Sequence, residues 1–213
     1  MKKLKPGELE SWAKEQGLHR LLGVDEAGIS SLAGPVVAAA VCLPDDHELH
    51  DINDSKKLSE EKRKSLYNDI LFYAKCVGIG IVKAAEIDEI GIRKATFLAW
   101  KRAVESACEK GYVPQAVLVD GPCEHPDLEY PQFAFTKGDC RSWNIAAASI
   151  VAKVTRDWLM VQQHQRRPEY GFGQNKGYST PQHKMMLKKY GPCELHRKSY
   201  RPVKDAFDFH QET

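Results

Sequence analysis

Residues 36–43, Val-Val-Ala-Ala-Ala-Val-Cys-Leu, form an unbroken apolar run, with Gly34-Pro35 before it and Pro44-Asp45-Asp46 after it. Such a run between turn signals reads as a buried strand. Residues 20–24 form a shorter apolar strand before it, and the Val/Ile-rich residues 74–82 form a third strand after it. Two further short strands, 115–119 and 132–136, come later, with helical segments between. A run of strands followed by strands alternating with helices is an α/β pattern with a mixed sheet.

The helices carry their own signals. Residues 8–16 read as a short helix stopped by Gly17. Ser59 is a good N-cap for a helix running to about Tyr73. In residues 92–110, Phe97, Trp100, Ala103, Val104 and Ala107 lie along one face, and Gly111 closes the helix. Asp139 or Ser142 caps a helix running through Ile145, Ile150 and Val154 to about Gln163. Beyond Arg166-Arg167-Pro168 the chain becomes glycine-rich, and 182–189 and 203–207 read as short helices. There is no linker and no internal repeat. We expect one domain over residues 1–213, with a core of about 18–165 and a helical C-terminal extension of about 166–213.

No apolar run approaches the roughly 20 residues of a membrane span, and the basic N-terminus is not followed by an apolar segment. The expectation is a cytoplasmic monomer without membrane contact. None of the six cysteines belongs to a Cys-x-x-Cys pair, which argues against a zinc site and for reduced thiols. The net charge of +2 is unevenly spread. Residues 1–136 hold 17 Lys/Arg against 22 Asp/Glu, and residues 137–213 hold 14 against 7. An acidic body with a basic C-terminal third suits a carboxylate metal site beside a phosphate-binding surface. A solvated basic face would give the same numbers.

Asp25-Glu26 and Asp120 each stand just beyond an apolar strand, and carboxylates at the ends of neighbouring strands converge on one edge of a sheet. Such a cluster repels itself unless a divalent cation lies between the oxygens. Asp157, deep in the helix after Ser142, could aim at the same point. Taken singly, Asp120-Gly121-Pro122 is also a good turn, and Asp157 also suits a wet helix face. Oxygen-only ligands match Mg²⁺ or Mn²⁺. Two such ions roughly 3.5–4 Å apart can activate water and stabilise the leaving oxygen of a phosphodiester.

The order of motifs resembles ribonuclease HII over about residues 20–205. The likeness rests on Gly23-Val24-Asp25-Glu26-Ala27-Gly28, Leu32-Ala33-Gly34-Pro35-Val36-Val37, Asp54-Ser55-Lys56-Lys57-Leu58, Val119-Asp120-Gly121 and Lys137-Gly138-Asp139. It continues with Ser149-Ile150-Val151-Ala152-Lys153-Val154-Thr155-Arg156-Asp157, Gly177-Tyr178-Ser179-Thr180 and His196-Arg197-Lys198-Ser199-Tyr200. The resemblance implies a ribonuclease H-like fold, a mixed five-stranded sheet with flanking helices. It implies an endonuclease acting on the RNA strand of RNA–DNA hybrids and at ribonucleotides embedded in DNA. The catalytic metal ligands would be Asp25, Glu26, Asp120 and Asp157, holding Mn²⁺ or Mg²⁺. Gly28, Ile29, Ser30, Lys56, Ser149, Lys153 and Tyr178 would meet the substrate, with Tyr178 sensing the ribose 2′-OH. His196 is expected to bond a turn. Lys184, Lys188, Lys189, Arg197, Lys198 and Arg201 are expected on phosphates.

The chain departs from the family at one loop. Where the family usually reads Gly-Arg-Gly, this sequence reads Gly28-Ile29-Ser30. Ile29 brings no charge to a phosphate, and Ser30 would be costly if its backbone needed positive φ. On this reading hydrolysis survives, while cutting at a single embedded ribonucleotide weakens relative to longer RNA tracts. A non-catalytic nucleic-acid-binding protein with the same fold is the alternative.

Overall fold

A computed structural model describes residues 5–49, 51–52 and 58–211. Lys56 lies outside the described residues. Among them the chain forms β1 (Leu21–Ala27), β2 (Val36–Cys42), β3 (Cys76–Val82), β4 (Ala116–Asp120) and β5 (Gln132–Phe135). The helices are α1 (Glu8–Glu15), α2 (Glu60–Tyr73), α3 (Ala84–Ile90), α4 (Ile92–Glu109), α5 (Trp143–Arg166), α6 (Phe172–Asn175), α7 (Pro181–Tyr190) and α8 (Arg201–Gln211). The five strands make one mixed sheet in the order β3-β2-β1-β4-β5. β1–β2 and β2–β3 are antiparallel, whereas β1–β4 and β4–β5 are parallel. Among the described residues no helix is long and apolar enough to cross a membrane.

The unbroken apolar run of β2 has a direct cause. Val36, Ala38, Ala40 and Cys42 pack with Ala99, Ala103 and Ala107 of α4. Ala39 and Val41 pack with Ala147, Ile150 and Val151 of α5. A strand covered by a helix on each face has no polar side to alternate with. On β1, a Cβ on Gly23 would lie 2.2 Å from the backbone of Asn144, so the missing side chain lets the start of α5 sit on the sheet.

β1 is longer than residues 20–24. Its ladder with β2 continues through Asp25↔Ala39, Glu26↔Ala38 and Ala27↔Val37. The two acids therefore lie within the strand, not beyond it, and Asp120 is the last residue of β4. Their charge hides the strand's length in the sequence, because backbone pairing with β2 overrides a weak side-chain preference. The acidic helix α3 was not expected. It starts directly after β3, where the Glu86 carboxylate accepts the Lys83 N–H at 2.9 Å.

The C-terminal segment closes over the loop at residues 28–35. Leu32 N–H donates to the Gly177 carbonyl at 2.9 Å, Gly34 N–H to Leu195 at 2.8 Å, and Arg197 N–H to Leu32 at 2.8 Å. Two buried histidines brace this segment. Cys193 N–H donates to His196 Nδ1 at 3.0 Å, the two Nε2 atoms of His196 and His183 meet at 3.1 Å, and His183 Nδ1 faces the Tyr178 carbonyl at 2.8 Å. Only one assignment satisfies every pair. His183 Nδ1–H donates to the carbonyl, and His196 Nε2–H donates to His183 Nε2, with both rings neutral. Burial, and then the neighbouring His183, push His196 down to about 4.

Because the folded value lies below the ordinary one of about 6.5, the stabilisation is complete above that pH and declines as pH falls toward 4. At pH 5 the loss attributable to His196 comes to about 2 kcal/mol. Urea denaturation at pH 7.5 and 5.0 checks this, since the drop in stability should be smaller by that amount in His196→Gln than in the wild type.

Candidate active site

Strand alternation sends Asp25 and Glu26 to opposite faces of the sheet. Asp25 shares the α5 face, where Ser149 hydrogen-bonds its carboxyl. Glu26 turns to α4, and its Oε2 accepts the Trp100 indole N–H at 2.7 Å. The parallel register pairs Val24 with Val119, so Asp25 and Asp120 occupy the next rung and stand side by side. One Asp120 oxygen accepts the Gly138 N–H at 2.7 Å, which joins the end of β4 to the turn before α5.

Asp25 is only 7% exposed. Burial first, and then the Glu26 and Asp120 carboxylates, hold its carboxyl well above the usual range. The Ser149 contact and the 2.7 Å bond from Glu26 N–H oppose that rise without cancelling it. Asp25, Glu26, Gly28, Ile29, Ser30, Ser149, Lys153 and Tyr178 line one cleft of about 470 Å³. Sequence reading assigned all eight to the site.

Asp157 is placed differently. Ser149, Lys153 and Asp157 follow one another at four-residue spacing on α5, so Asp157 lies about 12 Å along the axis from Ser149. Lys153 Nζ holds its carboxylate at 2.7 Å. Asp157 lines the neighbouring groove with Tyr67 and Trp158. Among the described residues no three His, Cys, Asp or Glu side chains converge into a ready metal-binding group. The adjacent Asp25 and Asp120 still suit a hard divalent cation, being oxygen donors whose mutual repulsion a cation would relieve.

Tyr178 lies against two cations of α5, with Lys153 Nζ and the Arg156 guanidinium each 5.0 Å from its ring centre. Sequence reading did not single out Arg156. It is fully buried and donates to the carbonyls of Pro35 at 2.9 Å, Lys176 at 2.9 Å and Ala33 at 3.1 Å. A signal existed, because Ala152, Arg156 and Met160 fall at helical spacing on the buried stripe of α5. Arg197 requires a correction. It does not lie on the basic surface with Lys184, Lys188, Lys189, Lys198 and Arg201, which are exposed, but is fully buried. Its three nitrogens are used inside the protein, on the carbonyls of Gly28, Ile29 and Gly34.

The altered loop is also unlike the expectation. Ser31 N–H bonds the Gly28 carbonyl at 3.3 Å, so Ile29 and Ser30 are the central residues of a β-turn. Gly28 has φ 99°, and a Cβ there would lie 2.1 Å from Arg156 Nε. Among the described residues only Lys137 and Lys176 combine a side chain with positive φ. Ser30 is therefore unstrained, because the left-handed position is Gly28 and this turn needs no glycine at its third residue.

Comparison with known proteins fits this arrangement. A family model described as Ribonuclease HII matches residues 22–203. The chain belongs to the ribonuclease HII family. That makes it an endoribonuclease of ribonuclease H type 2. It is 48% identical over 198 residues to Ribonuclease HII of Geotalea uraniireducens (strain Rf4), covering 93% of this chain and 90% of that one. The ribonuclease H2 structure from Pyrococcus horikoshii OT3 superposes with a TM-score of 0.78 at 25% identity, over 91% of this chain and all of that one. A structure of Bst-RNase HIII in complex with Mn²⁺ shares the fold, with a TM-score of 0.69 at 16% identity over 91% of this chain and 71% of that one.

The crowding around Asp25 gives a stability prediction. In EDTA at pH 7.5, Asp25→Asn should melt higher than the wild type, by an amount equivalent to about 1–3 kcal/mol, because it removes a buried charge facing two others. An unchanged or lower melting temperature would contradict the repulsion.

Proposed function

We propose that this ribonuclease HII hydrolyses the RNA strand of RNA–DNA hybrids and also cuts at ribonucleotides embedded in duplex DNA. The observation that carries this reading is Asp25 beside Asp120 at the end of two parallel strands, next to a cleft walled by Gly28, Ile29, Ser30, Ser149, Lys153 and Tyr178.

Asp25, Glu26 and Asp120 would hold divalent cations, Mn²⁺ or Mg²⁺, and Asp157 would join them on leaving Lys153, which holds its carboxylate in the neighbouring groove. Bound in pairs, such ions supply an activated water and stabilise the departing oxygen of a phosphodiester. The Mn²⁺ complex of the fold relative supports this choice of cofactor. Ser149 orients Asp25, and Trp100 and Gly138 fix one oxygen each of Glu26 and Asp120. Lys153 bridges the cleft and Asp157, and it provides positive charge where a phosphate backbone would pass. Tyr178, packed against two cations at the cleft wall, would meet the ribose, whose 2′-OH distinguishes RNA from DNA. The exposed lysines of α7 and Lys198 extend the basic surface and bring salt-dependent affinity without sequence reading.

Asp25→Asn and Asp120→Asn should each lower Mn²⁺- or Mg²⁺-dependent cleavage of an RNA–DNA hybrid by about 10³-fold, the equivalent of about 4 kcal/mol. Wild-type activity in either variant would sink the assignment. The missing arginine gives a second test. Ile29→Arg should raise cleavage of a one-ribonucleotide duplex about tenfold relative to an all-RNA hybrid at low salt, as one charged hydrogen bond would. Ser30→Gly alone should leave that ratio unchanged, since Ser30 is unstrained.

A further inference from the structure

The turn at Gly28–Ser31 has a buried side and an exposed side. On the buried side, the Gly28 carbonyl accepts Arg197 Nη2–H at 2.7 Å. The Ile29 carbonyl accepts both Arg197 Nη1–H at 2.8 Å and the Tyr200 hydroxyl at 2.6 Å. Arg197 Nη1 also donates to the Tyr200 oxygen at 3.1 Å. The remaining donors are anchored on the Gly34 carbonyl, at 3.0 Å from Nε and 2.9 Å from Nη2. One guanidinium thus ties both ends of the loop at residues 28–34 to a common point.

In a trans peptide the N–H points opposite to the preceding carbonyl. With the Gly28 and Ile29 carbonyls turned to Arg197, the N–H groups of Ile29 and Ser30 are turned away from it. Both residues line the cleft beside Asp25 and Tyr178, and the Ile29 side chain is 41% exposed. Two successive N–H groups on the outer side of a turn form a small anion- and hydroxyl-binding concavity.

We propose that Arg197, with Tyr200, is the specificity-determining positioning residue of this enzyme: by fixing the Gly28 and Ile29 carbonyls it presents the Ile29 and Ser30 backbone N–H groups to the nucleotide, so that the backbone part of ribonucleotide recognition is set by buried residues of the C-terminal segment, to which a charged side chain at 29 would add. This rests on the cleft being the nucleic-acid site. Arg197 touches neither substrate nor reacting atoms; its effect passes through two peptide groups. The arrangement accounts for a loop that keeps Gly28 while tolerating Ile29 and Ser30, because backbone donors are common to all three residue types. Arg156 holds the far side of the same loop and the Tyr178 ring, so the turn and the aromatic ring are referenced to one rigid frame.

The test compares wild type, Arg197→Lys and Tyr200→Phe as full chains. Lysine keeps the charge but has no fork to reach three carbonyls. Phenylalanine keeps the ring against Arg197 and loses only the hydroxyl. Fluorescence anisotropy in EDTA would read affinity for an all-DNA duplex and for the same duplex with one ribonucleotide. Wild type should prefer the ribonucleotide duplex by about tenfold, a difference of one or two fixed hydrogen bonds. Arg197→Lys should lose that preference, and Tyr200→Phe should lose part of it, with all-DNA affinity changed less than about twofold and cooperative melting retained. Retained preference in both variants, a parallel loss for both duplexes, or no preference in the wild type would overturn the inference. Preference present in the wild type and lost in the variants, but without divalent-dependent cleavage by any of them, would remove the proposed activity and leave this inference standing.

Discussion

Arg156 and Arg197 are the interactions on which the rest of the site depends. Each is a fully buried cation bonded to main-chain carbonyls, three from Arg156 and three from Arg197, drawn from the loop at residues 28–35 and from Lys176. A loop of this kind cannot satisfy its carbonyls by a ladder, and buried carbonyls without donors are costly. The two guanidinium groups supply donors at several points at once, in the planar geometry a lysine cannot offer. They also fix which residues face outward. Removing either leaves carbonyls without donors on one side of the loop and an unanchored cleft wall on the other.

The carboxylates show the opposite economy. Asp25 sits beside Asp120 in the parallel register and adjoins Glu26 in the chain, with burial on one side and like charge on the other. Folding stability alone would remove at least one of these charges. What holds them includes contacts from rigid parts: Ser149 of α5 on Asp25, Trp100 of α4 on Glu26, the Gly138 N–H on Asp120 and Lys153 on Asp157. The contacts come from three parts of the fold, α5, α4 and the turn before α5. The site therefore depends on α4 and α5 clasping opposite faces of the same sheet, and the alanines along β2, α4 and α5, with Gly23 of β1 and Gly78 and Gly80 of β3, permit that close approach.

These two halves were unequally legible in the sequence. The β2 run announced a strand buried on both faces, and the caps Ser59 and Ser142 marked helix starts that the structure keeps, each accepting a backbone N–H from three residues on. The positions of Asp25, Glu26 and Asp120 near strand ends were visible as acids following apolar runs. That Asp25 and Glu26 belong to β1 was not, because strand length there is decided by pairing with β2, a partner ten or more residues away. The approach of Asp25 to Asp120 depends on parallel register, which no local pattern encodes. Arg197 was misplaced for a related reason. Its neighbours Lys198 and Arg201 are exposed, and a basic stretch does not reveal which member turns inward. Arg156 offered more, since its spacing with Ala152 and Met160 set it on the apolar stripe, where a cation must find partners.

The loop at Gly28-Ile29-Ser30 brings these lines together. Judged by side chains it is a damaged motif, short of a charge and of a glycine. Judged by backbone it is intact: the one residue that needs positive φ is still Gly28, and the carbonyls of Gly28 and Ile29 still have donors. A substitution at 29 or 30 acts on an outward side chain and leaves the carbonyl side of the peptide untouched. A substitution at 156, 197 or 200 would move the peptides themselves. Tolerance to change in this region should therefore rise with distance from the buried guanidinium groups, and not with distance from the cleft.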